Sequence, residues 1–430
     1  MPMEMNDLVL VSVDDHVNEP PDIFERHMPT KFKNQAPVVV PTKHGRAWEI
    51  EGKVAGGLGL NAVVGRPKSE YGHEPMNYDQ MRKGCWDVHA RIDDMNVNGI
   101  LAALCFPQFP GFGGQRFLAM QDKDLANATI QAYNDWHFHE WVSAYPDRLM
   151  PISLLPLWNM DLLLAELQRM SKLGVHAVAF SDNPAMLGLP SLHDEYWEPF
   201  WKACADLDIV ICCHIGSGAF PPHASDKSPI ASWITSMPIS IAATASDWLF
   251  AGFWKRYPTL KMCLSEGGIG WIPYLLERAD FTYSHHNGWT NLDLDEKPSD
   301  IFRKHIISCF IEDEFGLDNL KAIGEDMVCW ECDYPHSDCT WPNTPEGVWK
   351  GLQKLPKATV DKITHLNAMR EFRFDPFVNA SRAECTVGAL RARATHVDTS
   401  EQSFLGGQNP QFDRTRPVTS ADVRKILSAV

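Results

Sequence analysis

The chain has 430 residues, 44% of them hydrophobic, and a formal net charge of −16. This length can supply the core of a large α/β domain, whereas no apolar run approaches the roughly 18 residues of a membrane span. The acidic balance argues against nucleic acid as a partner, because phosphates require a basic surface. The first residues lack the basic and apolar stretches of a secretory signal, so we expect a cytoplasmic protein that acts on a small molecule and binds no membrane.

Eleven cysteines are scattered along the chain. Their odd number fits reduced thiols better than a disulfide framework. Cys329 and Cys332 have the C-x-x-C spacing of zinc and redox sites. They fall on a predicted core strand, where such a site has no room to form, so we expect both to be packing residues.

Apolar runs of strand length alternate with helix-like segments through most of the chain, the pattern of βα units around a parallel sheet. The eight predicted strands are residues 8–13, 100–106, 149–155, 177–180, 209–213, 262–265, 306–310 and 327–332. The predicted helices include residues 84–98, 122–145, 160–173, 197–207 and 239–254. Eight such units predict an α/β fold, a distorted (β/α)8 TIM-like barrel rather than an open sheet.

Two regions depart from this alternation. Residues 20–81 are rich in proline, glycine and charge, and they predict a long insertion after strand 1, on the face where loops shape an active site. From residue 395 the chain turns polar and ends in a short predicted helix near residues 420–427. We therefore expect a barrel over residues 1–394 and a C-terminal arm over residues 395–430, lying on a neighbouring subunit or on its own barrel.

Polar side chains follow three of the predicted strands. Asp14 and His16 are two residues apart after strand 1 and point to the same face, His214 follows strand 5, and Asp333 follows strand 8. Each residue alone can have a purely structural role, either as a polar residue at the end of a strand or as a hydrogen-bonded histidine. A closed barrel would bring all four to one mouth, and carboxylate plus imidazole is a ligand set for a divalent metal.

Four segments of the chain resemble motifs of the amidohydrolase superfamily, in the branch typified by aminocarboxymuconate-semialdehyde decarboxylase. These segments are residues 14–20, 214–217, 265–273 and 333–336, and the resemblance extends over roughly residues 8–375. It implies a distorted barrel with a divalent zinc, manganese or iron ion in its mouth, held by Asp14, His16, His214 and Asp333. It also implies a metal-dependent decarboxylase (a carboxy-lyase) or hydrolase that acts on a small organic acid or amide.

One position departs from the family pattern. Many members carry a histidine after the sixth strand that acts in acid–base chemistry, and the matching residue here is Glu266. A buried glutamate can also move protons, so we predict Glu266, Asp333 and His336 as catalytic residues. His336 has an alternative reading, as a residue that caps the following helix.

Glu266 can instead ligate a second metal. Glu19, His285 and His286 are the further candidates for that site. Each also has a simpler structural interpretation. Glu19 can be an acidic turn residue ahead of two prolines, and His285 and His286 can be solvated residues at a helix end.

Three functions remain open from the sequence. The first is the mononuclear decarboxylase or hydrolase. The second is an oxygen-activating hydroxylase (a monooxygenase) with two iron or manganese ions, since carboxylate and imidazole suit those metals. The third is a non-catalytic partner subunit, against which the retained polar cluster argues. We expect a homodimer or a hetero-oligomer with a paralogue.

Overall fold

Eight parallel strands form a closed barrel at the centre of the molecule. The computed structural model describes residues 3–43, 45–72, 74–218, 224–405 and 415–427. In chain order the barrel strands β1–β8 are Val11–Val17, Ala102–Pro107, Leu149–Met150, Ala177–Ser181, Val210–His214, Lys261–Ser265, Ile306–Phe310 and Val328–Trp330. The hydrogen-bonded order is β3-β2-β1-β8-β7-β6-β5-β4, with every pair parallel.

The two end strands of this order, β3 and β4, are joined by hydrogen bonds just beyond β3. There, Ser153 donates its N–H to Ala177 O at 3.1 Å and accepts from the N–H of Ala179 at 2.9 Å. The predicted barrel is therefore confirmed, because each strand has a neighbour on both sides.

Strand β1 begins and ends later than the apolar pattern predicted. The predicted strand covered residues 8–13, whereas the observed one is Val11–Val17 and includes the polar run at its end. Asp15 and His16 pair with Cys105 and Phe106 of β2, after a register shift that follows Ser12. Backbone pairing therefore continues through the charged residues, and the candidate ligands lie on a strand rather than on a loop.

Helices surround the barrel and begin at good caps. The Asp87 side chain accepts the N–H of Ala90, and the Asn159 side chain accepts the N–H of Leu162. The helices of eight or more residues are Val88–Asn98, Lys123–Trp136, Met160–Ser171, Glu198–Leu207, Ile230–Leu249, Ile272–Thr290, Pro298–His305, Thr344–Leu352 and Ser420–Leu427. Shorter α-helices are Ile23–His27, Gln115–Leu118, Glu314–Asp318, Leu320–Ile323, Lys357–Asp361, Asn367–Glu371 and Val387–Arg393. Among the helices of the described ranges, we find none with the length and apolar character to cross a membrane.

One predicted helix has different bounds. Residues 239–254 were expected to be helical from just after Pro238, but the helix is Ile230–Leu249 and contains that proline. An interior proline removes one N–H donor without preventing the helix from continuing on both sides.

The insertion after β1 forms a small sheet that packs on the barrel. Its antiparallel strands are Val38–Thr42, Gly45–Ile50 and Lys53–Ala55. Trp48 of the middle strand is 1% exposed and stacks on Phe109 with ring centroids 4.3 Å apart. The insertion therefore shares the hydrophobic core instead of lying apart from it.

The C-terminal tail begins by binding this insertion. The buried Glu70 carboxylate accepts the backbone N–H groups of Phe404 and Leu405 at 3.0 and 3.2 Å, and Ser403 Oγ also donates to it. Further along, Ile230 donates its N–H to Val418 O at 2.9 Å. The described parts of the tail thus contact their own chain, and a contact with a neighbouring subunit stays a prediction.

Replacing Glu70 with alanine is expected to lower the free energy of unfolding by about 1–3 kcal/mol, because buried N–H groups of the tail lose their acceptor. Urea denaturation and limited proteolysis after residue 400 measure the effect. Glu401→Gln removes an exposed carboxylate nearby and should stay within about 0.5 kcal/mol of the parent protein. Equal stability and equal proteolysis of the two variants would show that the contact with Glu70 does not fix the tail.

Candidate metal centre

Six polar side chains meet at the carboxyl end of the barrel. β1 supplies two of them, β5 ends at one, one directly follows β6, and the loop after β8 supplies the last two: Asp14, His16, His214, Glu266, Asp333 and His336. In a parallel barrel this end collects the residues that follow every strand, which explains how positions more than 300 residues apart become neighbours.

The ligand atoms lie at the spacing of a coordination shell. His16 Nε2 is 3.5 Å from Asp14 Oδ1, 3.3 Å from Asp333 Oδ1 and 3.2 Å from His214 Nε2. His214 Nε2 is in turn 3.5 Å from Asp14 Oδ2 and 3.1 Å from Glu266 Oε2. Ligands bound to one cation at about 2.1 Å lie roughly 3.0–3.5 Å from each other.

The backbone around the cluster fixes where these side chains point. His214 Nδ1 is 2.7 Å from Ile215 O, so the proton belongs on Nδ1 and the lone pair of Nε2 faces the cluster. Glu266 and Asp333 both have left-handed backbone, with φ of 60° and 57°. Such residues are uncommon outside glycine and asparagine and cost about 1 kcal/mol each, which marks a functional constraint on the two turns.

Strand β1 is tied to the loop after β8. Asp333 donates its N–H to Asp14 O at 2.8 Å, and His16 donates its N–H to Tyr334 O at 2.7 Å. The two carboxylates and the first imidazole are therefore held by main-chain hydrogen bonds, which preorganises the cluster.

The electrostatics of the cluster favour a bound cation. Asp14 and Asp333 are fully buried, and within the described ranges neither oxygen of Asp14 has a hydrogen-bond partner. Burial raises the pKa of Asp14, and the charges of Glu331 and Glu266 raise it further. Burial likewise raises the pKa of Asp333, as do the charges of Glu266 and Asp14. Buried carboxylates that repel one another are stabilised by a divalent ion, and this donor set fits zinc, manganese or iron.

Arg91 supports β1 from behind the cluster. Its guanidinium is fully buried and donates to Gly84 O at 2.7 Å and to His16 O at 2.5 Å. The same group lies 3.7 Å from Asp15 Oδ2. Burial raises the pKa of Asp15 to about 7, while Arg91 and the hydroxyl of Ser12 act in the opposite direction.

The structure does not bring together the set expected for a second metal. Glu19 is buried, but its carboxylate accepts the N–H groups of Gln108 and Phe109 at 3.0 and 2.9 Å. His285 and His286 lie near the end of the helix Ile272–Thr290, about 20 Å along its axis from its first residue. Of that set only Glu266 belongs to the cluster.

The two helix-end imidazoles have their own partners. The exposed ring of His285 stacks on Phe281 with centroids 5.0 Å apart, and Trp289 Nε1 donates to His286 Nδ1 at 3.1 Å. This corrects the expectation from sequence: an uninterrupted helix carries both histidines away from the barrel mouth.

The sequence analysis did not identify three residues that lie near the cluster. Glu331 is buried and its Oε2 accepts the N–H of Glu266 at 3.1 Å, while burial raises its pKa to about 8. The side-chain amide of Gln108 lies 2.6 Å from His336 Nε2, and the ring of Phe112 lies 4.1 Å from that of His214. Two of them could have been found from their positions in the sequence, since Gln108 directly follows β2 and Glu331 directly follows β8.

A cavity with two lobes opens above the cluster. The smaller lobe, about 300 Å³, has mainly apolar walls that include Phe112, Ile215 and Met237. The larger lobe, about 730 Å³, has more polar walls that include Trp271 and Glu331. Glu266 lines both lobes, so it marks the border between the cluster and the space for a substrate.

Comparison with known proteins agrees with the barrel fold. The 2-amino-3-carboxymuconate-6-semialdehyde decarboxylase of Dictyostelium discoideum is 22% identical over 305 residues, which are 70% of this chain and 80% of that protein. An amidohydrolase from Mycobacterium avium subsp. paratuberculosis K-10 has a TM-score of 0.65 at 20% identity, covering 85% of this chain and 99% of that one.

A second solved structure carries a metal. The 5-carboxyvanillate decarboxylase of Novosphingobium aromaticivorans DSM 12444, with bound manganese, has a TM-score of 0.62 at 15% identity and covers 87% of this chain and 100% of that one. The amidohydrolase family model matches residues 20–374, which is most of the chain. The protein therefore belongs to the amidohydrolase family.

Proposed function

We propose that this protein is a metal-dependent carboxy-lyase that removes CO2 from a small, planar organic acid. The observation that carries the proposal is the buried cluster of Asp14, His16, His214 and Asp333, next to a cavity that Glu266 and His336 line. The decarboxylases among its relatives support this choice of reaction over hydrolysis.

The reaction sets clear demands on the site. The bond between the substrate carbon and its carboxylate breaks, the electron pair stays on that carbon, CO2 leaves, and a proton replaces it. A bound divalent cation supplies Lewis acidity for the substrate oxygens. Asp14, His16, His214 and Asp333 would hold that ion, and the apolar lobe would hold the body of the substrate away from water.

Two members of the cluster also line the cavity, Glu266 and His336. Burial raises the pKa of Glu266, but the neighbouring His214 and His336 bring it below its ordinary value, so this side chain is a carboxylate at neutral pH. Burial lowers the pKa of His336 to about 4, so its imidazole is neutral. The proton that replaces CO2 has to arrive on this side of the site, where these two side chains meet the substrate.

The shape of the smaller lobe supports a flat substrate. Phe112 lies against His214 and 4.8 Å from the ring of His16, so an aromatic face covers the cluster. Leu60, Ile215 and Met237 complete an apolar wall. A planar ring or conjugated chain with a carboxylate directed at the cluster fills such a space with little exposed apolar surface.

A substrate panel tests the function. The protein loaded with Mn²⁺ or Zn²⁺ is mixed with hydroxybenzoates, with unsaturated dicarboxylic acids and with matched amides and lactones. We expect one CO2 released for each acid consumed, with no uptake of O2. Hydrolysis of an amide or lactone without CO2 would replace the proposal by a hydrolase. Consumption of O2 by the iron-loaded protein would replace it by a hydroxylase.

A further inference from the structure

Two buried cysteines contact each other across the loop that carries Asp333 and His336. The sulfur of Cys332 lies 3.5 Å from the sulfur of Cys339, and both thiols are free in this structure. Cys332 has the C-x-x-C spacing with Cys329, but the sulfur that it contacts belongs to the residue seven positions later. The sulfur atoms of a disulfide are about 2.05 Å apart, so a shift of roughly 1.5 Å would join the two residues.

The Cys332 side of this pair is held by the barrel. Its N–H donates to Ser12 Oγ on β1 at 2.8 Å. Its sulfur lies 3.8 Å from the side-chain nitrogen of Asn98, which donates to it, and 4.0 Å from the hydroxyl oxygen of Thr344. Cys332 is therefore held in place beside its partner, and a bond between the two thiols forms without a search through other conformations.

The Cys339 side of the pair is next to the cavity. Asp338 and Thr340, its neighbours in the chain, are exposed and line the larger lobe. Cys339 itself is 5% exposed, compared with 1% for Cys332. Cys339 is therefore the thiol that a water-sized reagent in the cavity meets first, whereas a bulky reagent has little access to either sulfur.

We propose that Cys332 and Cys339 are a redox-sensitive dithiol, which hydrogen peroxide converts to a disulfide. Cys339 Sγ attacks one peroxide oxygen, the O–O bond breaks, and water leaves with the thiol proton, so that a sulfenic acid forms. Cys332 Sγ then attacks the Cys339 sulfur, the S–O bond breaks, and a second water takes up the second thiol proton. Two electrons pass from the two thiols to the peroxide, and a small-molecule dithiol reverses the oxidation.

The disulfide closes residues 332–339 into a ring that contains two members of the polar cluster. Since Cys332 is held by the barrel, the movement falls on Cys339 and on its two neighbours in the cavity wall. The oxidised protein therefore has a changed wall in the larger lobe. The inference goes beyond the proposed function, because it concerns oxidation of the protein itself and does not depend on the reaction that the site catalyses.

Thiol mapping of the protein loaded with Zn²⁺ tests the pair, because zinc has no redox chemistry of its own. The full-length protein is treated with hydrogen peroxide, quenched with catalase, unfolded in iodoacetamide and digested beside its acidic residues. Such residues separate Cys332 from Cys339 and from Cys329 in the sequence, so each cysteine falls on a peptide of its own. We expect mass spectrometry to show the peptides of Cys332 and Cys339 joined with the loss of two hydrogens, and the other cysteines alkylated. Dithiothreitol before alkylation should remove the link.

Three variants make the assignment specific. Cys339→Ala should leave Cys332 reduced and alkylated after the same treatment. Cys332→Ala should leave Cys339 without a disulfide. Cys329→Ala, which removes the partner suggested by the C-x-x-C spacing, should keep the link.

The opposite results would overturn the proposal. Alkylation of both thiols, under peroxide that fully oxidises free cysteine in the same solution, excludes the pair. A link from Cys332 to Cys329, or a sulfinic acid on Cys339 without a link, excludes it as well. If the variants do not fold, the wild-type map still decides, because it identifies the joined peptides directly. None of these results depends on the release of CO2, so the decarboxylase proposal is tested separately.

Discussion

Replacing His214 with alanine is expected to lower kcat/KM for the acid substrate by at least about 100-fold and to remove the ion held with Asp14 and His16. The Nε2 atom of His214 lies within 3.5 Å of a ligand atom of each of those side chains, so its loss removes one donor from the shell. Losing a ligand costs more than losing the residues that orient ligands, which alone costs about 10–100-fold. Elemental analysis and steady-state kinetics measure the two effects.

The same variant should lose the stability that comes from metal binding. An ion that binds only the folded chain stabilises it by about 2.7 kcal/mol at 100 times its Kd. The melting temperature of the wild-type protein should therefore rise on adding Mn²⁺, whereas that of His214→Ala should rise less. His176→Ala is the matched control, since this histidine precedes β4 at the opposite end of the barrel and hydrogen-bonds Asp208 O. Wild-type metal content in His214→Ala would remove His214 from the ligand set.

The barrel and most of the cluster could be predicted from the sequence for one physical reason. Buried parallel strands are continuous apolar runs, and the residues that follow them meet at one end of the barrel. Asp14, His16, His214 and Asp333 each follow such a run, so their order along the chain was enough to predict that they meet.

Positions set by long-range contacts could not be predicted in this way. Strand β1 extends through Asp14 and His16 because its backbone pairs with β2, which an apolar pattern does not reveal. Glu19 has the composition of a metal ligand, but its oxygens bind N–H groups that lie about 90 residues away in sequence. His285 was predicted as a metal ligand because imidazoles after the helix that follows Glu266 are possible donors. The helix is long enough to place this residue far from the cluster, and its length could not be derived from the composition of its end.

The buried arginine behind the cluster shows a further limit of sequence reading. Arg91 lies on the helix Val88–Asn98, where a charged residue usually faces solvent. Its guanidinium donates hydrogen bonds to the backbone oxygens of residues 16 and 84. A sequence pattern does not indicate which main-chain oxygens will need a donor. These two main-chain contacts therefore became visible only with the fold.

Replacing Arg91 with leucine is expected to lower the free energy of unfolding by about 3–5 kcal/mol, because it leaves the buried carboxylate of Asp15 without its compensating charge. The carbonyl oxygens of Gly84 and His16 lose their donors in the same step. Arg91→Lys should recover only part of the loss, since an ammonium group keeps the charge but not the fork of N–H donors that reaches both oxygens. Urea denaturation of the metal-free protein measures these differences without a contribution from metal binding.

Two further variants test whether the loss of stability in Arg91→Leu comes from the buried charge pair. Lys202→Leu breaks an exposed pair with Asp206 and should cost no more than about 1 kcal/mol. Combining Arg91→Leu with Asp15→Asn should cost less than the two single losses added together, because the second change removes the charge that the first leaves unpaired. Strictly additive losses would mean that Arg91 stabilises the fold through packing and its two carbonyl contacts alone. Its support of β1 would then act on the position of His16 and not on the charge of the strand.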